Sequence, residues 1–297
     1  MTTPEQQPPV NRRQFGAELR RLRKAAGLQQ EDVAAHLGTS TTRVSRMETG
    51  KGRVVAKPEE VRRLCELFRV TDERQVQRLV EMVATSRQPG WWDQYRDVLP
   101  SGLEVLVSME TAAHSVRAWE PKLVPGLLQT ESYARAVIQT SPTMRPHDVD
   151  DMVKIRTERQ KAVTDPQTAT RPPLELWAIL DEDVITRPVG GAEAMREQIA
   201  HLLAMGEQPH VTLQVVPRAK GANPGLGGAF SLLDFETGEP AVVYVDSPAG
   251  NLYLEKRADV RAFATAFDLL RAAALDPDES AALMRRASKE MQDDQPG

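Results

Sequence analysis

The 297-residue chain carries a single cysteine, Cys65, which excludes an internal disulfide and any multi-cysteine zinc or iron–sulfur site. With Val61, Leu64 and Phe68 it shares one helical face, a packing position. Aromatic residues are scarce, at 5% of the chain, so any local cluster of them needs a destination. No apolar run approaches the roughly 20 residues that cross a bilayer. The opening MTTPEQQPPVNRRQF lacks the hydrophobic segment of a secretory signal, so a cytoplasmic protein without a membrane is the expectation. Patterns of catalysis are missing too: there is no Gly-x-Ser-x-Gly elbow, no HExxH and no spaced Cys/His set. KGANPGLGGAF lacks the Gly-Lys-Ser/Thr ending of a phosphate loop and reads as a hairpin loop. Asp181-Glu182-Asp183 offers paired carboxylates, but acids at a helix start are favoured by the helix dipole alone. The expectation is a protein that is not an enzyme and takes no cofactor and no metal.

Charge is present but unevenly placed. Residues 1–87 hold 17 Lys+Arg against 11 Asp+Glu, a balance of +6, which leaves −10 for residues 88–297 of a chain whose total is −4. One end suits a polyanion and the other does not.

The stretch QEDVAAHLGTSTTRVSRME, residues 30–48, organises the basic end. Val33, Ala34 and Leu37 form one helical face and Val44 with Met47 another. Between them Gly38 can take the left-handed conformation that closes the first helix, and Ser40 can cap the second. Two short helices joined by a three-residue turn make a helix-turn-helix. Gln30, Thr41, Thr42, Arg43, Ser45 and Arg46 face away from the shared core, and such side chains can read base edges or grip phosphates in a major groove. Upstream, a helix to about Ala26 turns Phe15, Leu19 and Leu22 inward, and Gly27 stops it. Downstream, Pro58 opens a fourth helix and Thr71 or Asp72 a fifth, to about Ser86.

Residues 12–86 closely resemble helix-turn-helix domains of the Cro/C1, or xenobiotic-response-element, type, through LRRLRKAAGLQQEDVAAHLGTSTTRVSRMETGKG with Ala34, Gly38, Val44 and the Met47-Glu48…Gly50 ending. The resemblance implies base or near-base contacts at Gln30, Thr41, Thr42 and Arg46, with a phosphate at the start of its helix as the other role for Gln30. It implies phosphate contacts at Lys51 and Arg53. It also implies a structural ion pair between Arg23 and Glu48.

Composition shifts at Arg87-Gln88-Pro89-Gly90, and WWDQYRDVLPSG follows. Trp91, Trp92 and Tyr95 either pack the start of the second domain or wall a ligand or partner pocket. The periodicity predicts a helix over 102–118, with Leu103, Leu106, Met109, Ala113 and Val116 inward. Further helices are expected at Thr130 or Glu131 onward and at Asp148 to about Val163. Strand patterns follow at 174–180, 211–217, 229–235, 241–247 and 251–256, with a helix at about 191–205. Turns at Gly221–Gly228 and Thr237–Pro240 suit an antiparallel meander. Helices at 258–275 and 278–291, the latter capped by Asp278, end the chain.

The expected architecture is therefore a disordered tail over 1–10, a mainly α five-helix domain over 11–86, and an α+β effector or partner-binding domain with a small, mostly antiparallel sheet over 87–292. A frayed tail covers 293–297. The second domain resembles the uncharacterised C-terminal domain of antitoxin-like transcriptional regulators of actinobacteria, through WWDQYRDVLPSGLE, EPKLVPGLLQTESYARAVI, LWAILDEDVITRPVGG and GGAFSLLDF with VVYVDS. The two resemblances imply a sequence-specific DNA-binding regulator at the nucleoid, a repressor acting as a homodimer on a two-fold-related double-stranded operator. The alternative is an antitoxin-like protein that binds a small co-encoded protein through its C-terminal domain and regulates its own operon. Trp91, Trp92, Tyr95 and the loop glycines Gly225, Gly227 and Gly228 are the candidate partner or ligand surface.

Overall fold

The computed structural model describes residues 10–49, 56–87, 91–95, 97–100, 102–142, 144–164, 172–235, 240–247 and 251–293. Its compact units are Met1–Gln94 with Gly102–Ala112, and Tyr95–Ser101 with Ala113–Gly297. Of the expected tails at 1–10 and 293–297, residues 1–9 and 294–297 lie outside the described residues, while Val10 opens the first helix and Asp293 ends the last.

The first unit is helical: α1 (Val10–Ala25), α2 (Gln30–Leu37), α3 (Thr41–Thr49), α4 (Pro58–Leu67), α5 (Glu73–Arg87) and α6 (Leu103–Ala112). Local chemistry sets most of these bounds. Gly27 at φ +72° ends α1, and the Asp72 carboxylate opens α5 by accepting from the Arg74 N–H at 2.9 Å. Pro58 sits in the first turn of α4, where its missing N–H costs nothing. Phe15, Leu19 and Leu22 of α1, Val33 and Ala34 of α2, Val44 and Met47 of α3, and Val61, Leu64, Cys65 and Phe68 around α4 are buried together with Leu79, Val80 and Val83 of α5. Each large apolar side chain so buried contributes about 1.5–3 kcal/mol of transfer free energy. Burial also pushes the Cys65 thiol pKa up, in keeping with packing.

The second unit runs β1 (Ser115–Glu120), α7 (Glu131–Gln139), α8 (Val149–Thr164), β2 (Glu175–Asp181), α9 (Glu182–Thr186) and α10 (Ala192–Gly206). It continues with β3 (Val211–Val216), β4 (Phe230–Asp234), β5 (Val242–Val245), β6 (Leu252–Leu254), α11 (Arg257–Ala273) and α12 (Pro277–Asp293). The strands form one six-stranded sheet in the order β3-β2-β1-β4-β5-β6. Pairs β1–β2 and β2–β3 are parallel, whereas β1–β4, β4–β5 and β5–β6 are antiparallel. Helices α7 and α8 carry the chain from β1 to β2, and α9 and α10 carry it from β2 to β3, the helical crossovers that parallel neighbours require. On one face Trp119, Ile179, Phe230, Leu232 and Val243 pack against Phe267 and Leu270 of α11.

Four expectations are corrected. The sheet is larger than a small antiparallel one, and mixed. The helix expected over 102–118 stops at Ala112, and the next residues form β1; its spacing of Ala113 and Val116 continued the helical period, but β1 gains hydrogen-bonded ladders on both sides, to β2 and β4. β3 is no member of a meander: it pairs with β2 in the described sheet, so Gly221–Gly228 connects strands that are not neighbours. The cap of α12 is Asp276, whose carboxylate accepts from the Glu279 N–H at 2.8 Å, rather than Asp278. The first compact unit takes in α6, which packs on α1.

Candidate nucleic-acid interface

The two helices of the motif are fixed by contacts local in sequence. The backbone N–H of Gln29 donates to the Asp32 carboxylate at 2.7 Å, opening α2. Gly38, at φ +64° and ψ +42°, closes it and returns its N–H to the carbonyls of Ala34 and Ala35. An L side chain pays a steric penalty in that conformation, so glycine is the natural occupant. Ser40 then caps α3, its hydroxyl oxygen accepting from the Arg43 N–H at 3.2 Å. With Val33, Ala34, Val44 and Met47 buried and Leu37 half-buried, α3 presents its other face outward.

On that face Thr41, Thr42 and Arg46 are exposed, while Gln30, Arg43 and Ser45 are half-buried. The side chain of Arg43 donates to both carboxylate oxygens of Glu60 on α4, at 2.9 and 3.0 Å. Arg43 is thus held against its own domain, unlike a side chain reaching for a base edge. Burial works against the Glu60 carboxylate, but Arg43 and the Lys57 N–H outweigh it and hold its pKa below the usual range. Gln30 is engaged as well, its amide donating to Glu48 at 2.8 Å. Lys51 and Arg53 lie outside the described residues.

Behind the exposed face of α3 lies a buried ion pair. Arg23 of α1 and Glu48 of α3 are 6% and 5% exposed. The guanidinium donates through Nε at 2.5 Å and Nη2 at 3.0 Å to the two carboxylate oxygens, and through Nη1 at 2.8 Å to the carbonyl of Leu28. The hydrogen bonding to Glu48 raises the Arg23 pKa. The result is one polar knot joining the end of α1, the loop after it, the start of α2 and the end of α3. A bidentate, charge-assisted pair fixes orientation as well as distance, so α3 is held rigidly before any ligand arrives.

One position here was not singled out from the pattern. A Cβ on Gly16 would come within 2.5 Å of the Met47 carbonyl and 2.6 Å of the Glu48 carbonyl. Glycine lets the backbone of α1 touch the end of α3. The signal was a glycine inside a helical period, which is unfavourable unless close packing requires it.

Trp91 and Trp92 pack edge to face with ring centroids 5.7 Å apart in the 3-10 turn Trp91–Tyr95, and both are half-buried, as is Tyr95. Gly225 is buried: its carbonyl accepts from the Trp119 indole at 2.8 Å, and a Cβ there would lie 2.3 Å from that ring. It is a packing position and leaves the candidate surface. Gly227 is exposed and Gly228 half-buried.

An exposed polar helix, set by a glycine turn against a second short helix and anchored from behind, defines a helix-turn-helix DNA-binding protein, and residues 14–79 match the model of the helix-turn-helix domain. Residues 103–286 match the model described as domain of unknown function DUF5753, and the chain belongs to that family. No curated protein and no solved structure gives a significant match. Among the described residues no helix is long and apolar enough to cross a membrane.

Proposed function

We propose that this chain is a cytoplasmic transcriptional repressor of the Cro/C1 type that binds a two-fold-related operator as a homodimer, with no catalytic activity of its own. The observation that carries the reading is the α2–α3 pair: Thr41, Thr42 and Arg46 stand exposed on a helix pinned by Gly38, Ser40 and the Arg23–Glu48–Gln30 knot. One such helix reads only a few base pairs, and strong operators place two of them about 34 Å apart. A second copy of the chain is therefore part of the reading. The −10 balance of residues 88–297 disfavours phosphate contact there and suits a partner- or ligand-binding role for the C-terminal unit, which accommodates the antitoxin-like reading with a small co-encoded protein. Selection of binding sites from random duplexes by the full chain tests the proposal. Thr42→Ala and Arg46→Ala are each expected to cost about 1–3 kcal/mol on the selected site and to relax its sequence preference. A selected profile that is the same for wild type and both variants overturns it.

A further inference from the structure

The register of the sheet lines up Ala178, Ala118, Ser231, Tyr244 and Tyr253 in one row across β2, β1, β4, β5 and β6. Side chains alternate along a strand. This row therefore lies on the face opposite the Trp119–Phe230–Phe267 cluster under α11. The middle of the row is small, alanine beside serine. Its outer end is aromatic, with the Tyr244 and Tyr253 rings 5.4 Å apart between centroids. Two residues further along β1, on the same face, comes Glu120, and two beyond Tyr244 comes Asp246. Here the parallel half of the sheet meets the antiparallel half, and open sheets with parallel strands characteristically bind ligands beyond the carboxyl ends of those strands.

Glu120 is unusual in its company. The residue is half-buried, and the protein around it shields its carboxyl from water. Among the described residues that carboxyl takes part in no hydrogen bond and no ion pair within contact distance. The charges that act on it are Asp246 beyond β5, which opposes its ionisation, and Arg156 of α8, which favours it. Arg156 is also committed to Gln129, donating at 2.6 Å. From α7 faces Tyr133, itself subject to Glu120, Arg156 and Arg187, its hydroxyl accepting from the Val124 N–H at 3.1 Å. Burial first, then Asp246, pushes the Glu120 pKa up to about 8. A shielded acid opposed by a second acid, with one arginine acting on it, is short of positive charge.

We propose that the C-terminal unit holds a binding site for a small organic cation, a primary amine or a quaternary ammonium, with Glu120 and Asp246 as its acids and the Tyr244–Tyr253 pair as its aromatic wall. Aromatic faces attract such cations beyond what a carboxylate alone supplies. Among the described residues no group of three or more His, Cys, Asp or Glu is placed to hold a metal ion, so the donor set here suits an organic cation. Binding is coupled to a proton. A cation seated beside Glu120 favours its ionised form, so the proton held at neutral pH leaves as the ligand enters.

The test is calorimetric titration of the full chain at pH 7 with choline, tyramine and agmatine, in phosphate and in Tris. A neutral alcohol and a carboxylate of similar size are the controls. At least one cation is expected to bind, releasing up to about one proton per site, seen as a difference in heat between the buffers. Glu120→Gln is expected to weaken that binding at least tenfold and to abolish the proton release. Asp246→Asn, at an exposed position that folding tolerates, is expected to weaken it at least tenfold as well. The inference is overturned if no cation binds, if the neutral or anionic controls bind as well as the cations, or if both variants bind like wild type. The titrations contain no DNA, so failure here leaves the operator reading standing.

Discussion

Glu48 of the first unit is buried and Glu120 of the second is shielded from water, and their surroundings differ. Glu48 meets a guanidinium fork through both oxygens and an amide through one of them. Glu120 meets none of these, and Asp246 opposes its charge. A buried carboxylate is tolerated ionised when paired and hydrogen-bonded; otherwise it holds its proton. Glu48 therefore belongs to the frame of its domain, where a reading helix needs one orientation. Among the described residues the Glu120 carboxyl meets no such partner.

The comparison can be broken most forcefully at Glu48. Removing one member of a buried pair leaves the other charge stranded, which costs about 3–5 kcal/mol. Glu48→Ala is expected to lower the opening free energy of α1 and α3 amides by that amount, measured by hydrogen exchange in the full chain. Unchanged protection in those helices together with lost DNA affinity would move Glu48 from the frame to the reading surface.

At Glu120 the expected sign is opposite. Its folded pKa of about 8 lies above the usual 4.5, so the folded state favours the protonated form. Relative to a neutral side chain, the wild type is unpenalised below about pH 4.5 and loses stability as pH rises toward 8. Glu120→Gln is therefore expected to match the wild type at pH 4 and to exceed it at pH 8.5 by about 2–4 kcal/mol, allowing for the residue's partial accessibility. Urea titrations at the two pH values, following a probe in the second unit, measure this. A variant less stable than wild type at pH 8.5 would mean that the carboxylate is satisfied after all.

The difference between the two acids also explains what was legible in the chain. The helix-turn-helix is written in neighbours: Gly38, Ser40 and the spacing of Val33, Ala34, Val44 and Met47 act within a few residues. The Arg23–Glu48 pair spans 25 positions and is implied by family resemblance, not by spacing. β1 was hidden because Ala113 and Val116 extend a helical period while its ladders come from residues 175–180 and 230–234. The same non-locality hid the surroundings of Glu120, since nothing near it in sequence announces Asp246 or Arg156. Arg43 was legible as a cation on the outer face but not as a partner of Glu60. The cap at Asp276 could have been found: Pro277 marks the first helical position, which makes the preceding Asp the cap.

Arg43 and Glu60 give the intermediate case and the smallest effect. Their side chains are 29% and 18% exposed, so water shares in solvating both, and a pair of this kind contributes about 0.2–1 kcal/mol. Glu60 ionises more readily in the folded state than in the unfolded chain. Its stabilising contribution is therefore present above the ordinary carboxylate pKa of 4.5 and lost as pH falls through the lower folded value. Arg43→Ala is expected to cost no more than about 1 kcal/mol at pH 7, measured by urea unfolding, and this difference should fade on acidification through the carboxylate range. Because Arg43 is held by α4 while Arg46 stands exposed on α3, Arg43→Ala is also expected to alter the selected DNA sequence less than Arg46→Ala does. If the order is reversed, DNA draws Arg43 away from Glu60, and the pair is a latch on the reading helix rather than a part of the frame that holds it.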